Sequence, residues 1–185
     1  MDTAKRRKYG GNLIVLVELD SNNAIPGTIT SGTNAIALNC QEESDSPLET
    51  SEEILRTEDG LVADVDQEHN AKTTATLLEN DAAKANFLAY TVRGKKFLEI
   101  KYNGIAAGNH EEMFSIVRFK PGRSIKTPKG KMPYESTHIP PNAAVTFSAA
   151  NITAIETALS ISIRAGGPVT IPAGQEDYTA TTAVS

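Results

Sequence analysis

The stretch Asn12-Leu-Ile-Val-Leu-Val-Glu-Leu19 constrains the fold more than any other part of this chain. It is continuous, apolar and rich in branched side chains. It is far shorter than the eighteen or so apolar residues that a membrane helix needs. Asp20-Ser-Asn-Asn and then Pro26-Gly27 follow at once, and both are turn signals. Length, branching and punctuation together make it a buried strand. A strand that must be buried requires other strands around it, and the sequence supplies them. Ala35–Cys40, Leu61–Asp66, the Thr-rich Ala71–Leu78, Lys96–Tyr102, Met113–Lys120, Ala143–Ser148, Ala158–Arg164 and the short Val169–Ile171 read as strands. Asn103-Gly104 reads as a tight turn after the fourth of these. One segment has helical character. Asn80 or Asp81 can cap it, Ala82, Ala83, Lys84 and Ala85 favour it, and Phe87 with Leu88 provide its apolar anchors before Gly94 stops it. The expected fold is mainly β: a sandwich or barrel with one short flanking α-helix at about residues 81–92 and long loops. One domain spans residues 9–172, with loops at 41–60, where an extended hairpin is the other reading, and at 121–141. A basic arm (1–8) precedes it and a flexible C-terminal tail (173–185) follows.

Charge is sorted along these elements. From Glu42 to Glu68 there are eleven acidic residues and one basic one, Arg56. From Arg93 to Lys131 there are ten Lys or Arg against Glu99, Glu111 and Glu112. A fold that keeps the two segments apart carries opposite patches, which suit head-to-tail contact between identical copies. The plainer reading is two solvated loops of unlike sign. The net charge of −5 argues against a dedicated nucleic-acid binder. With Cys40 as the single cysteine, a disulfide framework within the chain is excluded. The basic start lacks a signal-peptide core after it, which points to a chain made and folded in the cytoplasm.

Catalytic chemistry finds little support. His69, His110 and His138 fall in no zinc-binding helical spacing. His110-Glu111-Glu112 is a dense set of ligand types, but neighbours on a strand point to opposite faces. Asp64 and Asp66 share a face and could hold a cation, though a solvated acidic face explains them as well. Lys129-Gly130-Lys131 lacks the frame of a phosphate-cradling loop, and no nucleophile elbow is present. No catalytic residue, metal site or cofactor is expected. Aromatic residues make up 5% of the chain and Trp is absent, so stacking platforms for sugars or single strands are poorly supplied.

The Thr73-Thr-Ala-Thr-Leu-Leu-Glu-Asn-Asp81 strand running straight into a capped helix with Phe87-Leu88, together with the opening Tyr9-Gly10-Gly11-Asn12-Leu13 to Leu19, resembles the major tail (tail tube) proteins of long-tailed bacteriophages. The related inner-tube proteins of contractile injection systems share the pattern, and the resemblance spans roughly Tyr9 to Arg164. It implies a β-sandwich subunit of six-membered rings. The rings stack into a tube that conducts the genome, with β-hairpins joining around the lumen. The implied partners are further copies of the chain, other tail proteins and passing double-stranded DNA, with no membrane and no enzymatic activity. The implied location is the virion tail, assembled in the bacterial cytoplasm. Within that scheme Lys120, Arg123, Lys126, Lys129, Lys131, Glu49, Glu52 and Glu53 are candidates for contacts between subunits. Glu42, Glu43, Asp45, Glu58 and Asp59 are candidates for an acidic lumen or ring face, where carboxylates repel phosphate within a Debye length of roughly 8–10 Å. The basic 121–141 loop also suits a head–tail joining or capsid-decorating protein, and a carbohydrate or host-surface binding module is the further alternative.

Overall fold

The computed structural model describes residues 12–46, 49–56, 62–69, 71–77, 95–106, 109–119, 132–161 and 167–183. The strands are β1 (Asn12–Leu19), β2 (Ala35–Ser46), β3 (Glu49–Arg56), β4 (Val62–His69), β5 (Lys72–Leu77), β6 (Lys96–Ala106), β7 (Asn109–Arg118), β8 (Met132–His138), β9 (Val145–Phe147), β10 (Val169–Ile171) and β11 (Asp177–Ala183). The helix α1 (Ala149–Ala158) lies between β9 and β10.

Seven strands form one antiparallel sheet in the order β11-β7-β6-β1-β2-β5-β8. It curls until β8 meets the end of β7, where Val117 pairs with His138 and Arg118 with Thr137. Two backbone bonds reinforce the seam, from His138 N–H to the Ala71 carbonyl (2.8 Å) and from Ile139 N–H to the Ile116 carbonyl (2.7 Å). Six strands thus make a curled half-barrel, and β11 extends it along β7.

β1 is the middle of this sheet and is buried on both faces, which is why it reads as an unbroken apolar run. Ile14 and Leu16 point into the curl with Ile36, Leu38, Phe97 and Val117. Leu13, Val15 and Val17 point outward, where α1 and the β9–β10 pair cover them with Ile152, Ile155, Phe147, Val169 and Ile171. Each such side chain taken out of water contributes about 1.5–3 kcal/mol.

α1 is built from clear end signals. The Ser148 hydroxyl accepts from the Asn151 N–H (3.2 Å), capping an otherwise unpaired donor. The helix ends with Ser160 in the left-handed region (φ 52), the Ser160 N–H bonded to Thr157 O and the Ile161 N–H bonded to Glu156 O. That pair of bonds is a Schellman ending, with Ser where Gly is usual.

The expected helix at 81–92, with Phe87 and Leu88, lies outside the described residues; the described helix is Ala149–Ala158. Several other expectations are corrected. Ala158–Arg164 was expected as a strand, yet Ala158 closes α1 and Leu159-Ser160 turn, because the Ser148 cap and the buried Ile152–Ile155 pair make the segment helical. Of the two readings of 41–60, the extended one holds where it is described: β2 runs on to Ser46 and β3 follows. Asn103-Gly104 does not turn; β6 continues through it to Ala106 with a register shift against β7. The 121–141 segment is a strand from Met132 to His138, held by pairing to β5, with Tyr134 buried; its residues 121–131 lie outside the described residues. The tail expected from 173 contains β11, paired to β7 from Asp177↔Ser115 to Ala183↔Asn109.

Candidate functional site

Two features carry chemistry: a buried polar cluster inside the curl, and the acidic hairpin rooted beside it.

The cluster centres on Glu99 of β6, which is wholly buried. Period-two alternation sends Phe97, Glu99 and Lys101 into the curl and Leu98, Ile100 and Tyr102 outward. β5 and β8 present Thr73, Tyr134, Ser136 and His138 to the same space. The Glu99 carboxylate accepts from three hydroxyls: Tyr134 and Ser136 (2.7 Å) on Oε2, and Thr73 (2.9 Å) on Oε1. The Thr73 proton is committed to Glu99. Its contact with His138 Nε2 (2.8 Å) therefore requires the proton to sit on Nε2, and Lys101 Nζ donates to the same oxygen at 3.3 Å. Within this cluster Thr73 Oγ1 thus gives one bond and takes two. His138 Nε2 is 3.8 Å from Glu99 Oε1. Burial, and then the adjacent Glu99 charge, hold the Tyr134 hydroxyl well above its usual range. Phe119 packs edge-on against both Tyr134 and Phe97, with ring centroids 5.5 Å apart in each case, and closes the apolar side.

This arrangement satisfies a buried carboxylate and supplies a counter-charge on the same strand face, as burial of a charge demands. The Ser136 hydroxyl donates to Glu99 Oε2, and His138 Nε2 donates to Thr73 Oγ1. Among the described residues no group of three His, Cys, Asp or Glu could hold a metal ion. His110, Glu111 and Glu112 lie in successive positions of β7, and Glu112 is buried opposite Tyr102. Cys40 is a buried thiol in the inner core and forms no disulfide.

The acidic segment forms a two-stranded arm. β3 and β4 pair over their full length, from Glu49↔His69 to Arg56↔Val62. β2 and β5 pair from Glu42↔Thr76 to Ser46↔Lys72. Between Ser46↔Lys72 and Glu49↔His69 one strand advances three residues while the other retreats three. The two pairings therefore share one register on either side of that gap. The β3–β4 ribbon alone, at about 3.4 Å per residue, is about 27 Å long. A bulge at Cys40/Glu42, with Gln41 as the extra residue, separates the arm from the core pairing.

The sequence-derived acidic candidates are thereby gathered. Glu42, Glu43 and Asp45 lie at the root, and Glu49, Glu52 and Glu53 on the outer strand. Glu52 stands opposite Asp66, and Asp64 opposite Ile54. Glu58, Asp59, Lys120, Arg123, Lys126, Lys129 and Lys131 lie outside the described residues. Sequence reasoning missed Glu99, Lys101, Thr73, Tyr134, Ser136 and His138 as a group. The alternation Tyr134-x-Ser136-x-His138 was the signal, obscured by Pro133 and by the two prolines that follow.

Among the described residues no helix is long and apolar enough to cross a membrane. Comparison with known proteins gives no matching family model, no matching curated protein and no matching solved structure.

Proposed function

We propose that this chain is a structural subunit that assembles with copies of itself, and more specifically a tail-tube subunit of a long-tailed bacteriophage, whose stacked six-membered rings conduct DNA. The observation that carries this reading is the single-register arm. Among the described residues β3 and β4 pair only with each other. A two-stranded ribbon is marginally stable alone and exposes two hydrogen-bonding edges. Like charges stand opposite one another at Glu52 and Asp66, which weakens it further. Such an arm gains stability by lying against another surface, and a basic one suits it. The chain's own basic segment around Lys120, Arg123, Lys126, Lys129 and Lys131 offers that surface on a neighbouring copy. An acidic arm that faces a lumen instead would keep DNA from adhering as it passes.

The carbohydrate-binding alternative is disfavoured by the aromatic residues. Tyr102 and Tyr134 are buried, and Tyr178 is the exposed large hydrophobic residue among those described.

Negative-stain electron microscopy of the purified chain at high concentration tests the proposal. Rings or tubes are expected. Joint reversal of Lys126, Lys129 and Lys131 to Glu should abolish them and leave a folded monomer. A monomer at every concentration, in the unaltered chain, would refute the assembly reading.

A further inference from the structure

We propose that the buried cluster binds one water molecule, held between the Ser115 hydroxyl of β7 and Glu99 Oε1. This inference does not depend on the assembly reading; it rests on an account of donors and acceptors inside the curl.

Ser115 is wholly buried. Its neighbours Phe114 and Ile116 belong to the outer core and Val117 to the inner one, so strand alternation turns Ser115 into the curl. There it stands directly opposite Glu99 across the β6–β7 pairing. Among the described residues its hydroxyl has no hydrogen-bond partner. A hydroxyl has one proton to give and two lone pairs to offer. Left dry, such a group lowers the folding equilibrium constant by about fivefold to a hundredfold.

Glu99 has the matching capacity. A carboxylate offers about four acceptor positions. Among the described residues, Oε2 serves Tyr134 and Ser136, and Oε1 serves Thr73. His138 Nε2 lies 3.8 Å from Oε1, beyond hydrogen-bond length, and leaves the remaining position open. A spare donor and a spare acceptor therefore face each other in one cross-strand pair. Residues so placed carry their Cβ atoms about 4.5–5.5 Å apart. One water spans a polar pair of this kind: it accepts the Ser115 proton and donates one of its own to Oε1. An anion would be repelled by the carboxylate, and an apolar group would leave both atoms unpaired.

The bridge adds a strand to the network. The direct bonds tie together β5, β6 and β8 through Thr73, Glu99, Tyr134 and Ser136. The water brings in β7, on which the curl closes. Only Val117 and Arg118 of β7 pair with β8, and Ser115 lies just before them. The bound water thus braces the seam from inside, at the point where backbone pairing is short.

A crystal structure of the full chain that shows ordered solvent, and urea unfolding of the unaltered chain beside Ser115→Ala, test this together. One water is expected within hydrogen-bond distance of both Ser115 Oγ and Glu99 Oε1. Ser115→Ala removes one end of the bridge and should raise the unfolding equilibrium constant by about threefold to tenfold. The proposal is overturned by a crystal with no water at that position, or with a metal cation there in its place. It is overturned equally by a Ser115→Ala chain as stable as the unaltered one or more so, the result a dry hydroxyl gives.

Discussion

Replacing Tyr134 by Phe removes one oxygen from the middle of the molecule and leaves almost everything else in place. The ring stays in its edge-on contact with Phe119, because that contact uses carbon atoms alone. What is lost is the hydroxyl's donation to Glu99 Oε2. Hydrogen bonds to charged groups contribute about 1.5–3 kcal/mol. Ser136 still serves the same oxygen at 2.7 Å, so the lower half of that range is expected, about 1.5–2 kcal/mol at pH 7. The pH dependence separates this cause from simple loss of packing. In the folded chain the Tyr134 hydroxyl titrates well above its usual 10.0, because burial and Glu99 oppose the phenolate. Below pH 10 the hydroxyl is protonated in both folded and unfolded states, so its stabilising contribution is complete. Above pH 10 the unfolded chain loses this proton while the folded chain keeps it. Stability then falls with rising pH, by up to about 1.4 kcal/mol per pH unit. The variant lacks this slope, so the gap between the two proteins should narrow from pH 10 upward and then reverse. Urea unfolding at steps between pH 7 and pH 11 reads both quantities. A gap that stays constant across that range would refute the account of Tyr134 as a buried, charge-facing hydroxyl.

Ile155→Ala empties a fully buried position under α1 and should cost about 2–5 kcal/mol, measured by the same denaturation. Ser160→Gly should raise stability by about 0.5–1 kcal/mol in thermal or urea unfolding, since the residue sits at φ 52, where a side chain is strained and glycine is not.

The β character of the chain was open to reading from its punctuation and its period-two segments, and β1 most of all. A strand buried on both faces commonly reads as an apolar run, and nothing else in the chain looks like β1. Period-two alternation placed β5 nearly at its true bounds and β6 at its true start, though not at its end. The errors share a cause. Asn103-Gly104 has turn chemistry, but the pairing with β7 carries β6 past it with a register shift. Met132–His138 has loop composition, yet β5 recruits it as a partner. Asp177–Ala183 looks like a tail because nothing within it shows that β7 has an open flank. In each case a neighbouring strand, distant in sequence, overrides the local preference. The helix α1 was legible in principle from Ser148 and the Ile152–Ile155 spacing. Its Schellman ending on Ser160 instead of Gly hid the stop, and the β-branched residues from Ile161 onward suggested a strand.

The buried cluster was harder to see. Glu99 and Lys101 in a strand ordinarily announce the wet face of a sheet. Here the sheet curls round so that both faces are dry. Only closure, which depends on pairing between strands far apart in the chain, makes their charge a buried one.

The unbroken register of the arm has a consequence for how such a chain can vary. Because β2–β3 and β4–β5 step together across residues 46 to 49 and 69 to 72, equal insertions near the two inner ends of the outer ribbon would lengthen it without turning any core residue to the wrong side. Each added pair lengthens the reach by about 3.4 Å, and each deleted pair shortens it by as much. An unequal change, by contrast, would have to be absorbed as a bulge, as Gln41 already is at the boundary with the core. The arm is in this sense a graduated part on a fixed body: its length can be dialled in whole pairs while the curled sheet beneath it keeps every contact.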